Sequence, residues 1–490
     1  MTDSTSVVDP YVVTDAAIKE PPKSLLAALA QIGPGIVLAG SIVGSGELIL
    51  TTSLGADWGF VFLWLILFSC IIKVFVQVEL GRYAISSGKP TLTAFDELPG
   101  PRLGAHWLVW WWFFMLLASV FQLGAMVGSV GQAIHMAFPS GSPAIAALLG
   151  NISPALATTI NARPEHPWAV LTAIAAILLL LSGGYKRLEW ITTILVAGVT
   201  LVTVICVAML AGTPFPVRAA DIADGFSLKV LALPAAAVAA AFSTFGITGV
   251  GASELYAYPY WCLEKGYARS TGPRSSDPAW AERAKGWLRV MTLDAWVSMV
   301  VFTVATVAFY ILGATVLHRQ DLHPKKGEVI LTLSEMYVPA FGAWTKLFFL
   351  IGAWAVLFKT LYVASAGHAR LLTDFLGLTG AVRFTRPEQR PQWIRRFCVF
   401  FPSLALVLYL IYRDPTMMVK VGGYAQAVTL PVISGAALFL RYFRTDKRLA
   451  PSWLSDLFLW LAFILITAVA SYAVFNDVLP GLRQILFPQK

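Results

Sequence analysis

GSIVGSGELIL (residues 40–50) and GITGVGASELYAY (residues 246–258) are two versions of one pattern. Aligned on their acids, Gly44-Ser45-Gly46-Glu47-Leu48 falls on Gly251-Ala252-Ser253-Glu254-Leu255, an offset of 207 residues. Each motif lies inside a long apolar run. Serial glycines there weaken the ladder of backbone hydrogen bonds, and small hydroxyl residues leave carbonyls free. The pattern predicts two helices broken part-way along, each carrying a carboxylate where an ionised group is costly and therefore marks function. Helix-packing faces of the GxxxG kind, or acids that reach water at helix ends, leave similar traces. The matched pair argues for a site, because each motif is flanked by further glycines: Gly33, Gly35 and Gly40 in one, Gly246 and Gly249 in the other.

Working outward, the 490 residues are 57% hydrophobic and only 13% charged, with a mean hydropathy of +0.71. A soluble globular domain carries about 25% charged residues, so an all-α membrane protein is expected. Runs long enough to cross a bilayer, about 20 residues each, occur at 31–53, 58–83, 106–137, 168–184, 189–212, 234–261, 291–317, 340–370, 397–412, 417–441 and 453–476. The offset between the two motifs equals five of these eleven spans, so the copies would enter the membrane from opposite sides, as in an inverted repeat. The expected organisation is an N-terminal tail (1–30), a first repeat (31–212), a second repeat (234–441) and an extra eleventh helix (453–476). With the tail placed in the cytosol, 23 Lys and Arg residues fall in or at the edges of the inner segments and 10 on the outer side, with Lys73, Lys346 and Lys359 inside spans. That bias predicts a cytosolic amino terminus and an outer carboxyl terminus in a cell (plasma or inner) membrane. The net charge of +9 is thereby read as a topology signal, and no nucleic-acid partner is expected. The four cysteines lack zinc or disulfide spacing. No nucleotide loop or nucleophile elbow is present, so no enzyme activity and no cofactor are expected.

Beyond the two motifs, the chain resembles the natural resistance-associated macrophage protein (Nramp) family of divalent-metal transporters. The residues concerned are Gly33-Pro34-Gly35 at the head of the first span, Val76–Lys89 in the second, Ser365–Gly377 in the eighth and Leu430-Pro431 in the tenth. The resemblance implies the amino-acid transporter (LeuT-like) architecture of five plus five inverted repeats with one extra helix. It also exposes departures. Where the family carries Asp-Pro-Gly-Asn in the broken first helix, this chain has Gly44-Ser45-Gly46-Glu47; where the family carries Met-Pro-His in the sixth, it has Gly251-Ala252-Ser253, followed by Glu254. The family's tenth-helix Gln falls on Gly423, and Gln426 lies one turn away.

Losing the thioether of Met leaves a set of hard oxygen donors, which suits Mg²⁺ and Mn²⁺. The expected metal site is Glu47 and Glu254 with Ser45, Ser253, Gln426 and the carbonyls freed at Gly44 and Gly251. Two acids facing one cavity would share a proton when no cation is bound, so proton exchange accompanies this expectation. Lys73, Lys359 and His368 are candidates for an ion or coupling pathway; either lysine would replace a coupling ion or neutralise a site acid. Glu79, Arg82, Asp294 and Asp374 are read as pairing with neighbours or reaching water. The function expected is secondary transport of Mg²⁺ or Mn²⁺ by alternating access. A transporter of an amino acid or organic cation, marked by aromatic residues lining the cavity, and a non-transporting membrane sensor are the alternatives. The oligomeric state is not specified by the sequence.

Overall fold

The computed structural model describes residues 11–151, 153–183, 185–227, 229, 233–324, 328–342 and 345–475. The end of the expected eleventh helix and the carboxyl terminus, whose outer location was expected, lie outside the described residues, as do the first ten residues of the tail. Among the described residues the only β-structure is a pair of two-residue strands, Arg102–Leu103 and Ala105–His106. Everything else regular is helical.

The first span is split. Pro34–Ile42 opens with Pro at its first turn, where a missing N–H costs nothing, and ends at Val43; the chain resumes as Gly46–Trp58, bent by 43° from the first half. The second, third, fourth and fifth spans are Leu63–Ser87, Trp107–Ala137, His166–Ser182 and Tyr185–Gly212. The sixth is split again, into Ala235–Ile247 and Ala252–Lys265. Pro278–Leu312, Thr345–Leu378, Gln389–Tyr412, Pro415–Phe439 and Trp453–Ala473 complete the set of eleven. Both breaks coincide with the glycine motifs, as the sequence predicts.

The largest boundary difference is at the seventh span, expected from residue 291; the eighth also runs on to Leu378 and the ninth starts at Gln389. The polar stretch after the sixth span, expected as a connector, enters the seventh helix at Pro278, because Asp277 caps it: its Oδ1 accepts the Ala279 N–H at 2.9 Å with Pro at the first position. An N-cap with proline behind it starts a helix irrespective of the polarity that follows.

Burial separates core from rim. In the fifth, ninth and eleventh spans only 24, 28 and 22% of the apolar window is buried, against 67% in the second, third and seventh. Leu201, Ile411 and Ile464 lie exposed on those outer helices. An apolar surface of that extent is tolerated in hydrocarbon and not in water, so the chain is an integral membrane protein. The halves of the first and sixth spans pack in the interior, against the seventh, eighth, second and tenth.

Candidate functional site

At the sixth-span break the chain runs through Thr248 to Gly251. Gly249 takes φ +66°, and a Cβ there would come within 2.8 Å of the Cα of Cys70 on the second span. Only glycine fits both the positive φ and the close backbone approach, and this lets the second span lie flush against the break. At the first-span break a Cβ on Gly44 would meet the Thr360 hydroxyl of the eighth span at 2.2 Å. The two breaks are therefore seated against two different helices.

The two acids have different roles in this architecture. Glu47 is fully buried. Its Oε2 accepts the Gly44 N–H at 3.1 Å and its Oε1 accepts the Gly249 N–H at 3.3 Å, so one carboxylate holds both breaks together. Glu254 is half-buried, and its Oε1 accepts the Ser41 hydroxyl at 2.7 Å across from the first span. A cavity of about 20 Å³ is bounded by Ser41, Ser253, Glu254, Trp261 and His368, with apolar side chains between them. Such a volume holds about one water-sized occupant. Of the residues predicted from sequence, Glu254, Ser253 and His368 line this cavity; Glu47 does not.

Ser45 and Gln426 belong to a separate relay. The Gln122 amide donates to Ser45 Oγ at 3.0 Å and accepts from Gln426 Nε2 at 2.9 Å, while Gln426 Oε1 accepts the Ser253 N–H at 3.1 Å. A Cβ on Gly251 would strike Gln426 Oε1 and Glu254 Oε2, each at 2.6 Å. The relay thus ties the downstream half of each broken span to the third and tenth spans. Gln122 and Ser41 were not anticipated. Gln122 is one of two amides, with Gln132, in an otherwise apolar helix, a signal present in the sequence; Ser41 carries no signal of its own, since its role depends on Glu254 facing it.

Neither lysine faces the cavity. The Lys73 ammonium donates to the carbonyls of Phe245 and, at 2.9 Å, Thr248; that of Lys359 donates to the carbonyls of Val43 and, at 3.1 Å, Gly40. Asp294 caps the other end of the first half-helix, accepting from Gly33 N at 2.8 Å and Gly35 N at 2.6 Å. Glu79 pairs with Arg82 at 2.9 Å and Asp374 with Arg390 at 2.8 Å. Acids at helix N-termini and cations at C-termini are stabilised by the backbone dipole, which accounts for Asp294, Lys73 and Lys359, while Glu79 and Asp374 are neutralised by their arginines. Among the described residues no three His, Cys, Asp or Glu side chains gather closely enough to hold a metal ion.

The profile of the family described as "Natural resistance-associated macrophage protein-like" matches residues 35–476, taking in both breaks and all the residues above except Gly33. The chain belongs to that family. Nramp family members are transporters rather than enzymes. The divalent metal cation transporter MntH of Yersinia pestis is 22% identical to this chain over 390 residues, 78% of this chain and 79% of that one. A crystal structure of the manganese transporter of Eremococcus coleocola, in a histidine-to-alanine variant, superposes with a TM-score of 0.67 at 14% identity, covering 98% of this chain and 93% of that one. MhsT in complex with L-phenylalanine superposes at 0.54 with 14% identity, covering 94% and 99%. The fold of this Nramp family chain is therefore LeuT-like, with the first and sixth helices broken.

Proposed function

We propose that this Nramp family member is a secondary transporter of a hard divalent cation, Mn²⁺ or Mg²⁺, working by alternating access around the two broken spans. The observation that carries the reading is Glu254: a half-buried carboxylate on the wall of a small cavity, bridged by Ser41 to the other broken helix. Oxygen donors from Glu254, Ser41 and Ser253, with no thioether, favour hard ions. So few protein ligands leave several coordination positions to water, which suits Mg²⁺ and Mn²⁺ better than a bare ion in a full cage. The manganese and divalent-metal names of the relatives support the same cargo. Glu47 holds the breaks and joins the ion's shell when the halves shift; a proton leaves the pair of acids as the cation arrives. The amino terminus lies in the cytosol of a plasma or inner membrane, and the segments 31–212 and 234–441 are the repeats that rock against each other.

Trp261 on the cavity wall favours a second reading, in which the cargo is an amino acid or organic cation stacked on the indole. A cavity of about 20 Å³ must widen far more for that cargo than for an ion. Uptake by proteoliposomes of Mn²⁺, Mg²⁺ and Ca²⁺ separates the two. Saturable entry of one ion that Glu254→Gln abolishes supports the metal reading. Uptake of none of the three, or uptake that ignores Glu254, moves the weight to an organic cargo.

A further inference from the structure

The two buried lysines solve the same problem in the same way. Each broken span leaves the last carbonyls of its upstream half without helical partners, and in each case the carbonyls three residues apart, Gly40 and Val43 or Phe245 and Thr248, converge on an ammonium. A hydroxyl from the lysine's own helix joins both clusters. Thr360 Oγ1, next to Lys359, donates to Gly40 O at 3.1 Å and Val43 O at 3.5 Å. Ser69 Oγ, one turn before Lys73, donates to Phe245 O at 3.3 Å and Thr248 O at 2.9 Å. Both lysines are fully buried, and both are held by carbonyls with no carboxylate among their hydrogen-bond partners. A ring of carbonyl and hydroxyl oxygens at the negative end of a half-helix is the chemistry that binds a monovalent coupling cation in broken-helix transporters.

We propose that Lys359 and Lys73 are tethered cations occupying two sites for a monovalent cation, so that this protein carries its own substitute for a coupling ion and needs no alkali ion to hold its breaks closed. The sites are of one kind but sit on different supports, the eighth and the second spans, so each half-helix is clipped to a different helix by charge. A monovalent cation matches a shell of carbonyl oxygens with no carboxylate bonded directly, Glu47 lying near enough to attract both ammonium groups through space.

Removing the ammonium empties the site and leaves the oxygens in place. Melting temperatures of the detergent-solubilised full chain are compared in NaCl, KCl, NH4Cl and N-methylglucamine chloride at matched ionic strength. The native protein is expected to melt at one temperature in all four. Lys359→Ala is expected to melt lower in N-methylglucamine chloride and to regain roughly 2 °C or more in at least one small-cation salt, because a ligand that binds only the folded state raises its stability. Lys73→Ala puts the same question to the Phe245–Thr248 cluster, and it decides the matter if the first variant does not fold. A folded variant indifferent to all four salts overturns the proposal. So does failure of both variants to fold in any salt, since a vacated site that a small cation fills would be rescued by it. The readout is thermal and does not depend on what the protein transports.

Discussion

Both carboxylate oxygens of Glu47 accept backbone N–H groups, one from its own break and one from the other, whereas Glu254 accepts one hydroxyl and otherwise faces a cavity. Their amides should therefore behave differently. Glu47→Gln keeps one acceptor and sets an NH2 against a buried N–H, an arrangement that costs about 1–3 kcal/mol, so the variant is expected to melt several degrees lower, measured by intrinsic fluorescence. Glu254→Gln should melt close to the native protein while cation affinity, measured by the concentration dependence of uptake, falls roughly 10- to 100-fold, the effect of losing a charged partner. Equal melting temperatures for the two variants would contradict this division of roles. At the C-terminal end of the first span, His323 stands between Asp57 (Nδ1–Oδ1 2.9 Å) and Asp321 (Nε2–Oδ1 3.0 Å), and hydrogen bonds to these two carboxylates raise its pKa above the ordinary 6.5. A raised folded-state value means the contact contributes fully below pH 6.5 and is lost as pH rises through that higher value. NMR of ¹³C-labelled histidine should find one ring titrating above 6.5, and Asp57→Asn should bring it back toward 6.5.

At the scale of the element, the breaks rather than the spans carry the specificity of the fold. An ordinary glycine-to-alanine change in a helix is mild or stabilising, but Gly249 combines φ +66° with a Cβ position that lies 2.8 Å from the Cα of Cys70. Gly249→Ala must strain the backbone or push the second span away, a penalty of about 1–3 kcal/mol or more. The expected result is a lower yield of monodisperse protein on size-exclusion chromatography, with Gly198→Ala, whose added methyl meets nothing within 4 Å, as the silent control. The first half-helix, Pro34–Ile42, is short for an isolated helix, and it is held at both ends by side chains from elsewhere: Asp294 at its N-terminus and Lys359 with Thr360 at its C-terminus. Its position is thereby set by the seventh and eighth spans, so a shift of either is transmitted to Ser41 and through it to Glu254.

Across the whole molecule, the end of the bundle that receives the N-terminal tail is laced shut. Tyr11 donates to Glu264 at 2.7 Å, Arg370 Nη2 bonds Glu264 at 2.9 Å, and Arg390 bonds Asp374 while its guanidinium lies 3.8 Å from the Tyr11 ring centroid. The tail continues over this end, with Trp287 donating to the Lys19 carbonyl at 2.9 Å and Lys19 N–H to Ser270 O at 3.0 Å. These contacts join the sixth, eighth and ninth spans, and opening the cavity on this side requires breaking them. In a chain whose Cys70, Cys206 and Cys398 are replaced by serine, the buried Cys262, two residues before Glu264, is expected to react slowly with a maleimide. Arg390→Ala should speed that reaction several-fold, because the rate follows the population of the open form. An unchanged rate would mean that the lacing does not gate this side.

Much of this was legible in the residues themselves. Eleven apolar runs and the paired glycine motifs determine a membrane bundle with two broken helices, because span length and backbone weakness are local properties that a bilayer reads one segment at a time. The pairing Glu79–Arg82 was within reach for the same reason, the two being one helical turn apart. Tertiary structure alone decided which acid faces a cavity, because Glu47 and Glu254 occupy matching places in the two motifs and differ in what the other helices bring to them. It also decided that Lys73 and Lys359 are bound to carbonyls more than 170 residues away, and that Gln122 joins Ser45 to Gln426. A buried charge is satisfied by whichever partner the packing delivers, and that partner is written in the fold and not in the neighbouring sequence.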